Sequence, residues 1–302
     1  VDFIRVGLPQ ISPRVIEYQK NDLWIGGIRT SEEAAGIVRW RNDNGNWEYY
    51  QAGWIRRLFD DNVHAIETDG DSLWFGTEFG VTLYNLRKDQ WRNFNVAQGL
   101  ISNFVNDLEI LGSFLYVATN RGMSRIDRST GKVKKIRNAR LFAISVNKLA
   151  HQGDTLWAAT NRGIYRLLSK KNTWQFVPTT AILQDSVITA VSTFGKEVWF
   201  ASSSNIMKLD ISTNKWEDFP QIGFEVLGPY RDIKVNEKSV WVATRQGILK
   251  YDKQRKYWRL FTVMDGLPDN RSYYILLDGP YLWVATYKGI TQFYWDNPAR
   301  LD

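Results

Sequence analysis

Short runs in which alternate residues are apolar recur along this chain, separated by clusters of Gly, Asn, Asp and Ser. That pattern predicts half-buried β-strands joined by turns. The strongest runs carry an aromatic that follows an apolar residue and stands two positions before a small one. These anchors are Trp24, Trp74, Tyr116, Trp157, Trp199, Trp241 and Trp283, at spacings of 50, 42, 41, 42, 42 and 42 residues. Seven such units fill nearly the whole chain, so the repeat predicts one domain over 1–302. Four-strand units of this length, repeated radially, build an all-β, seven-bladed β-propeller.

The columns around the anchor have physical meaning. Two residues after it stand Gly26, Gly76, Ala118, Ala159, Ala201, Ala243 and Ala285. Nothing larger than a methyl group is present there, which predicts close approach of a neighbouring sheet. Six residues after it, Gly80, Gly122, Gly163, Gly247 and Gly289 suit a hairpin turn, and Asn205 takes that place in the fifth unit as a residue tolerant of the left-handed region. The first unit inserts Arg29 to Ala35 before its Gly36, which accounts for its length. Fourth strands begin near Trp47, Trp91, Trp174, Trp216 and Trp258. The seventh unit runs out after ITQFYWD from Ile290, while FIRVGLP from Phe3 matches FTVMDGLP from Phe261. The N-terminal segment is therefore predicted to complete the last blade and close the ring.

The strings LWFGTEFGVTLYN, LWAATNRGIYRL and LWVATYKGITQF, with GLPDN before the last, resemble the two-component regulator propeller repeat over all seven units. In that family such repeats form the extracytoplasmic sensor half of hybrid two-component systems, often those responding to oligosaccharides. Related propellers occur in secreted and surface-assembly proteins of bacteria. The resemblance thus implies a bacterial protein at the periplasm or cell surface. The sensors' Tyr-rich sandwich, membrane helix and kinase are not among these 302 residues. A second comparison, with the seven-bladed streptogramin lyases, brings no shared catalytic constellation. No residue is carried over from either family, because a fold does not fix a function.

Charge narrows the partners. Thirty-nine Lys and Arg against 32 Asp and Glu give a formal charge of +7. That excess favours an acidic patch on a protein, an anionic surface or an anionic glycan. The cations are scattered rather than gathered into a tract, which argues against nucleic acid. With no Cys, disulfides and thiolate chemistry are excluded. No apolar run approaches the ~20 residues of a membrane-spanning helix, and a start at Val1 is expected of a processed, extracytoplasmic product. Only two His are present, His64 and His151, in different columns of the repeat. There is no Walker loop, HExxH, GxSxG or Gly-rich dinucleotide turn. No catalytic residue, metal or cofactor is assigned.

Two sets of residues are candidates for binding. Ten positions before the anchors stand Arg14, His64, Asn106, Asn147, Thr189, Arg231 and Tyr273, all polar. Two positions later the column is uniformly apolar, from Ile16 to Ile275. The inner strand is thus expected to bury the second column and turn the first toward the mouth of the central channel, where it either solvates the opening or meets a ligand. The second set lies on the links that follow fourth strands: Trp54, Arg56, Arg57 and Phe59 in the first, Arg140 and Phe142 in the third, Phe224 in the fifth. Aromatics beside Arg are the composition of interface anchors. The leading expectation is a non-catalytic binding or scaffold propeller docking to a protein in an assembly. The alternative is a ligand-sensing domain of a two-component receptor, with a propeller lyase ranked last.

Overall fold

A computed structural model of the chain describes residues 3–6 (backbone), 11–30, 35–52, 58–138, 141, 143–168, 173–179, 187–219 and 227–296. Its strands form seven antiparallel sheets of four. First strands are Ser12–Gln19, Val63–Asp69, Val105–Leu111, Val146–Gln152, Ile188–Phe194, Asp232–Val235 and Ser272–Asp278, and each pairs with its anchor strand. Successive first strands pack side by side around a centre, and their blades are numbered 1 to 7 in that order.

The anchor column is the core. All seven anchors are nearly inaccessible, from 0% exposed at Trp24 and Trp241 to 3% at Tyr116 and Trp283. Each packs toward the following blade, as Trp74 does with Leu108, Leu115 and Val117 of blade 3. The apolar inner column is equally dry, with Ile16, Ile233 and Ile275 at 0%. The small column is explained by its neighbour: a Cβ at Gly76 would lie 2.6 Å from Val105 Cγ1 of the next blade. The Thr that follows acts as a turn cap. In blade 2 the Thr77 hydroxyl donates to the carbonyl of Gly80 (3.0 Å) and accepts from the N–H of Phe79 (3.1 Å), while Gly80 takes φ +127°. The same hydroxyl–carbonyl bond recurs in blades 3, 4, 6 and 7.

Two expectations need correction. Asn205 is not among the residues with positive φ; the Ser202 hydroxyl instead accepts from its N–H (2.9 Å), so a polar cap replaces left-handed backbone. The match between Phe3 and Phe261 is out of register by three rungs. Phe3–Val6 does pair with the third strand of blade 7, but Phe3 lies opposite Phe293, the position equivalent to Trp258 opposite Tyr251. Val6 opposite Ile290 is the rung equivalent to Phe261 opposite Ile248. The sequence match follows the downstream GLP, whereas the register follows the strand.

Candidate functional site

In six of the seven blades the polar residue ten positions before the anchor falls where the first strand slips past its partner; in blade 6 Arg231 stands just before the strand Asp232–Val235. Register shifts mark this point in blades 1, 2, 3, 4, 5 and 7, at Arg14, His64, Asn106, Asn147, Thr189 and Tyr273. An extra residue in one strand re-aims its side chain, and here the column spreads around the mouth. Much of it is tied up between blades. Asn106 donates to the carbonyl of Val146 (2.8 Å), and Asn147 to that of Ile188 (2.7 Å). Thr189 donates to the carbonyl of Ala201 in its own blade (3.1 Å). His64 contacts Glu78 (3.2 Å) and packs on the ring of Phe104; burial lowers its pKa against the opposing pull of Glu78. Tyr273 is held between two guanidiniums, Arg14 at 3.5 Å and Arg231 at 4.2 Å from the ring centre. The column thus laces the mouth, leaving one cation-rich quadrant.

The interior chemistry comes from columns the sequence reading passed over. A cavity of about 200 Å3 touches the first strands of all seven blades and is therefore the central channel. Its ionisable lining includes Glu17, Glu67, Asp107, Glu109, Asp232, Lys148 and Lys234, from nine and seven positions before the anchors. These carboxylates satisfy the backbone. First strands are inner edges, so their channel-side N–H groups have no strand partner. Asp107 accepts from the N–H of Leu149 (2.8 Å) and Asp232 from that of Ile275 (3.0 Å), each one blade onward. Glu67 accepts from the N–H of Ile110 (3.4 Å), and the Ser192 hydroxyl does the same for Val235 (3.2 Å). Glu at the seven-before position of units 1 to 3 was the legible signal.

Packing acids together in a narrow channel disfavours their charged forms. Burial pushes the Glu17 carboxyl up to about 7, against the N–H of Tyr18 and the charge of Lys234. Burial, then Glu109, Glu17 and Asp107, hold Glu67 well above the usual carboxylate range. Glu109 is also raised by burial, although His151 bonds it at 2.5 Å and is itself raised by that contact. Burial opposes the charge of Lys234, yet Tyr274, Asp232, Asp107 and Glu17 raise its pKa overall. Among the described residues, no group of three or more His, Asp or Glu is arranged to hold a metal ion.

On the outer face around the mouth, Phe59 is 53% and Phe79 is 59% exposed. Phe59 sits on the link into blade 2 and Phe79 on the turn after that blade's anchor strand. The N–H of Glu78 donates to Asp60 (2.9 Å), fixing the two segments side by side. Phe79 was missed because its column position usually holds a turn residue such as Arg121 or Arg162. Trp54, Arg56, Arg57, Arg140, Phe142 and Phe224 lie outside the described residues.

Several solved structures share this fold. The extracellular domain of a hybrid two-component system from B. thetaiotaomicron aligns with TM-score 0.76 and 17% identity, over 96% of this chain and 41% of that one. The present chain thus spans about two fifths of that protein's length. PorZ, a surface component of the type-IX secretion system of Porphyromonas gingivalis, aligns with TM-score 0.69 and 14% identity over 97% and 38%. Virginiamycin B lyase from Staphylococcus aureus aligns with TM-score 0.74 and 15% identity over 96% and 98%. No family model and no curated protein matches at the level of sequence. The likeness establishes the fold, a seven-bladed propeller. Among the described residues no helix is long and apolar enough to cross a membrane.

Proposed function

We propose that the chain is an extracytoplasmic, non-catalytic binding propeller that docks a protein partner through the face around the channel mouth. The observation that carries this reading is the pair Phe59 and Phe79, two large exposed aromatics on separate segments held together by the Asp60 bond. Rigid aromatic knuckles on loops set by a stiff scaffold are what interface anchors require. The link bearing Phe59 also carries Trp54, Arg56 and Arg57. Propellers of this architecture in a sensor's extracellular domain and a secretion-system surface component support the location. The two His are committed to different partners, His64 to Glu78 near the mouth and His151 to Glu109 beside a hairpin, and form no joint acid–base pair.

The test is cross-linking of the native protein in its own cells, followed by recovery of partners. Phe59→Ala with Phe79→Ala is expected to reduce recovery of the principal partner at least about tenfold, since truncating an anchor typically costs ~2 kcal/mol or more. Arg255→Ala with Lys256→Ala, on the opposite hairpins, is expected to leave it unchanged. Sensitivity of the hairpin variant alone overturns the choice of face. If only Arg231→Ala abolishes binding, the ligand-sensing reading replaces docking, because Arg231 stacks on Tyr273 at the mouth.

A further inference from the structure

At one level of the central channel, seven positions before the anchors, the lining is divided by charge. Blades 1, 2 and 3 supply Glu17, Glu67 and Glu109, while blade 6, across the ring from blades 2 and 3, supplies Lys234. The remaining blades carry the uncharged Ala150, Ser192 and Leu276 at that position. One level away, nine positions before the anchors, stand Lys148 of blade 4 and Tyr274 of blade 7. Acids thus occupy one side of the cavity, and an ammonium faces them.

Much of the lining is committed to the fold. Asp107 and Asp232 accept backbone N–H groups of the next blade, and Lys148 pairs with Asp107 at 3.3 Å. Lys234 and Tyr274 have no such commitment. Tyr274 is only 8% exposed, yet its hydroxyl makes no hydrogen bond to another described residue. Lys234 Nζ lies 4.9 Å and Lys148 Nζ 5.1 Å from the centre of its ring. Lys234 is half-buried and likewise makes no hydrogen bond or ion pair among the described residues, although it is close enough to Glu17 and Glu109 for its charge to act on both. Polar groups withdrawn from water without partners cost free energy, and here donors and acids face each other across one cavity without meeting.

We propose that the channel holds a small zwitterion, with its ammonium against Glu17, Glu67 and Glu109 and its carboxylate against Lys234 Nζ and Tyr274 Oη. Charge-assisted hydrogen bonds would form at both ends, whereas a ligand with one charge would leave the other side unmatched. The cavity, about 200 Å3, is smaller than the roughly 300–1,000 Å3 of drug-sized sites, so a short carbon chain joins the two charges. The site lies inside the ring and is independent of docking at the mouth.

Glycine, β-alanine and 4-aminobutyrate space the two charges differently, and butylamine and butyrate carry one charge each. Calorimetric titration of the full chain at pH 8, above the Glu17 value of about 7, is expected to show one saturable site for at least one zwitterion. Its affinity should exceed that of either singly charged compound at least about tenfold. Tyr274→Phe should cut the advantage over butylamine at least about threefold and spare the advantage over butyrate. Glu67→Gln should do the reverse. A merely structural role would move both ratios together or neither. No saturable binding of any zwitterion, equal binding of a singly charged compound, or ratios that both variants leave unchanged would each overturn the proposal. If a variant loses its melting transition, the ligand series on the parent chain still decides it.

Discussion

At the scale of single residues, the channel carboxyls are the groups whose state folding changes most. Glu17 is raised to about 7, and Glu67 and Glu109 are raised with it. A carboxyl with a raised folded pKa stabilises the fold below its unfolded value, and that contribution is lost as pH rises through the folded pKa. His151, also raised, acts in the same direction. The melting temperature is therefore expected to fall between about pH 5 and pH 8, while Glu17→Gln with Glu67→Gln should flatten that slope. For Glu17 alone the effect is at most about 3 kcal/mol, at ~1.4 kcal/mol per pKa unit, reduced by screening from water in the channel. Thermal melts across the pH range check it; an unchanged slope in the double variant would show that these carboxyls do not titrate with folding. The sequence displayed these acids but not their purpose. Alternation predicts two faces of a strand, whereas the bulge at six of the seven mouth residues shifts the phase and brings two further columns into the channel.

At the scale of the strand, the anchor column and its small neighbour were legible because each is a steric requirement repeated seven times. Where the column departs from its rule, the structure compensates nearby. Gly76 faces Val105 at a distance a methyl group could not occupy, whereas Ala118 occupies the same column in blade 3. Gly76→Ala is expected to cost about 1–3 kcal/mol by overpacking. Val105→Ala should cost stability alone, yet recover most of the loss when combined with Gly76→Ala. A double-mutant cycle from denaturant melts measures that coupling; strict additivity would mean the two side chains do not compete for space. Pairing across blade 3 was harder to read. Tyr116 looks like a conservative variant of Trp, and only the register shows that Ile136 stands where blades 2, 5 and 6 set a Phe against the anchor Trp and where blade 4 has Val177.

At the scale of the whole molecule, seven four-stranded blades are arranged in a ring, and in one of them a segment from early in the sequence pairs with one from late in it. The last blade takes three strands from Ser272–Tyr294 and one from Phe3–Val6, paired at four rungs from Phe3–Phe293 to Val6–Ile290. With no Cys in the chain, no disulfide can staple the junction. Hydrogen bonds and packing must carry it. The sequence showed the fourth strand at the wrong end of the chain but not its register, since a motif match has no knowledge of which rungs hydrogen-bond. Deleting residues 1–8 removes that strand and leaves Gly289–Tyr294 as an open edge, exposing backbone donors and acceptors to water and to other chains. The truncated protein is expected to melt several degrees lower, because a few kcal/mol shifts a domain of this size by about that much. A synthetic peptide of residues 1–8, added in excess, should dock on the exposed edge as an added strand and raise the melting temperature with its concentration. A peptide with the same composition in scrambled order should not. If the truncated chain melts at the parental temperature, the N-terminal strand contributes nothing to closure, and the six complete blades with three strands of the seventh hold the ring alone.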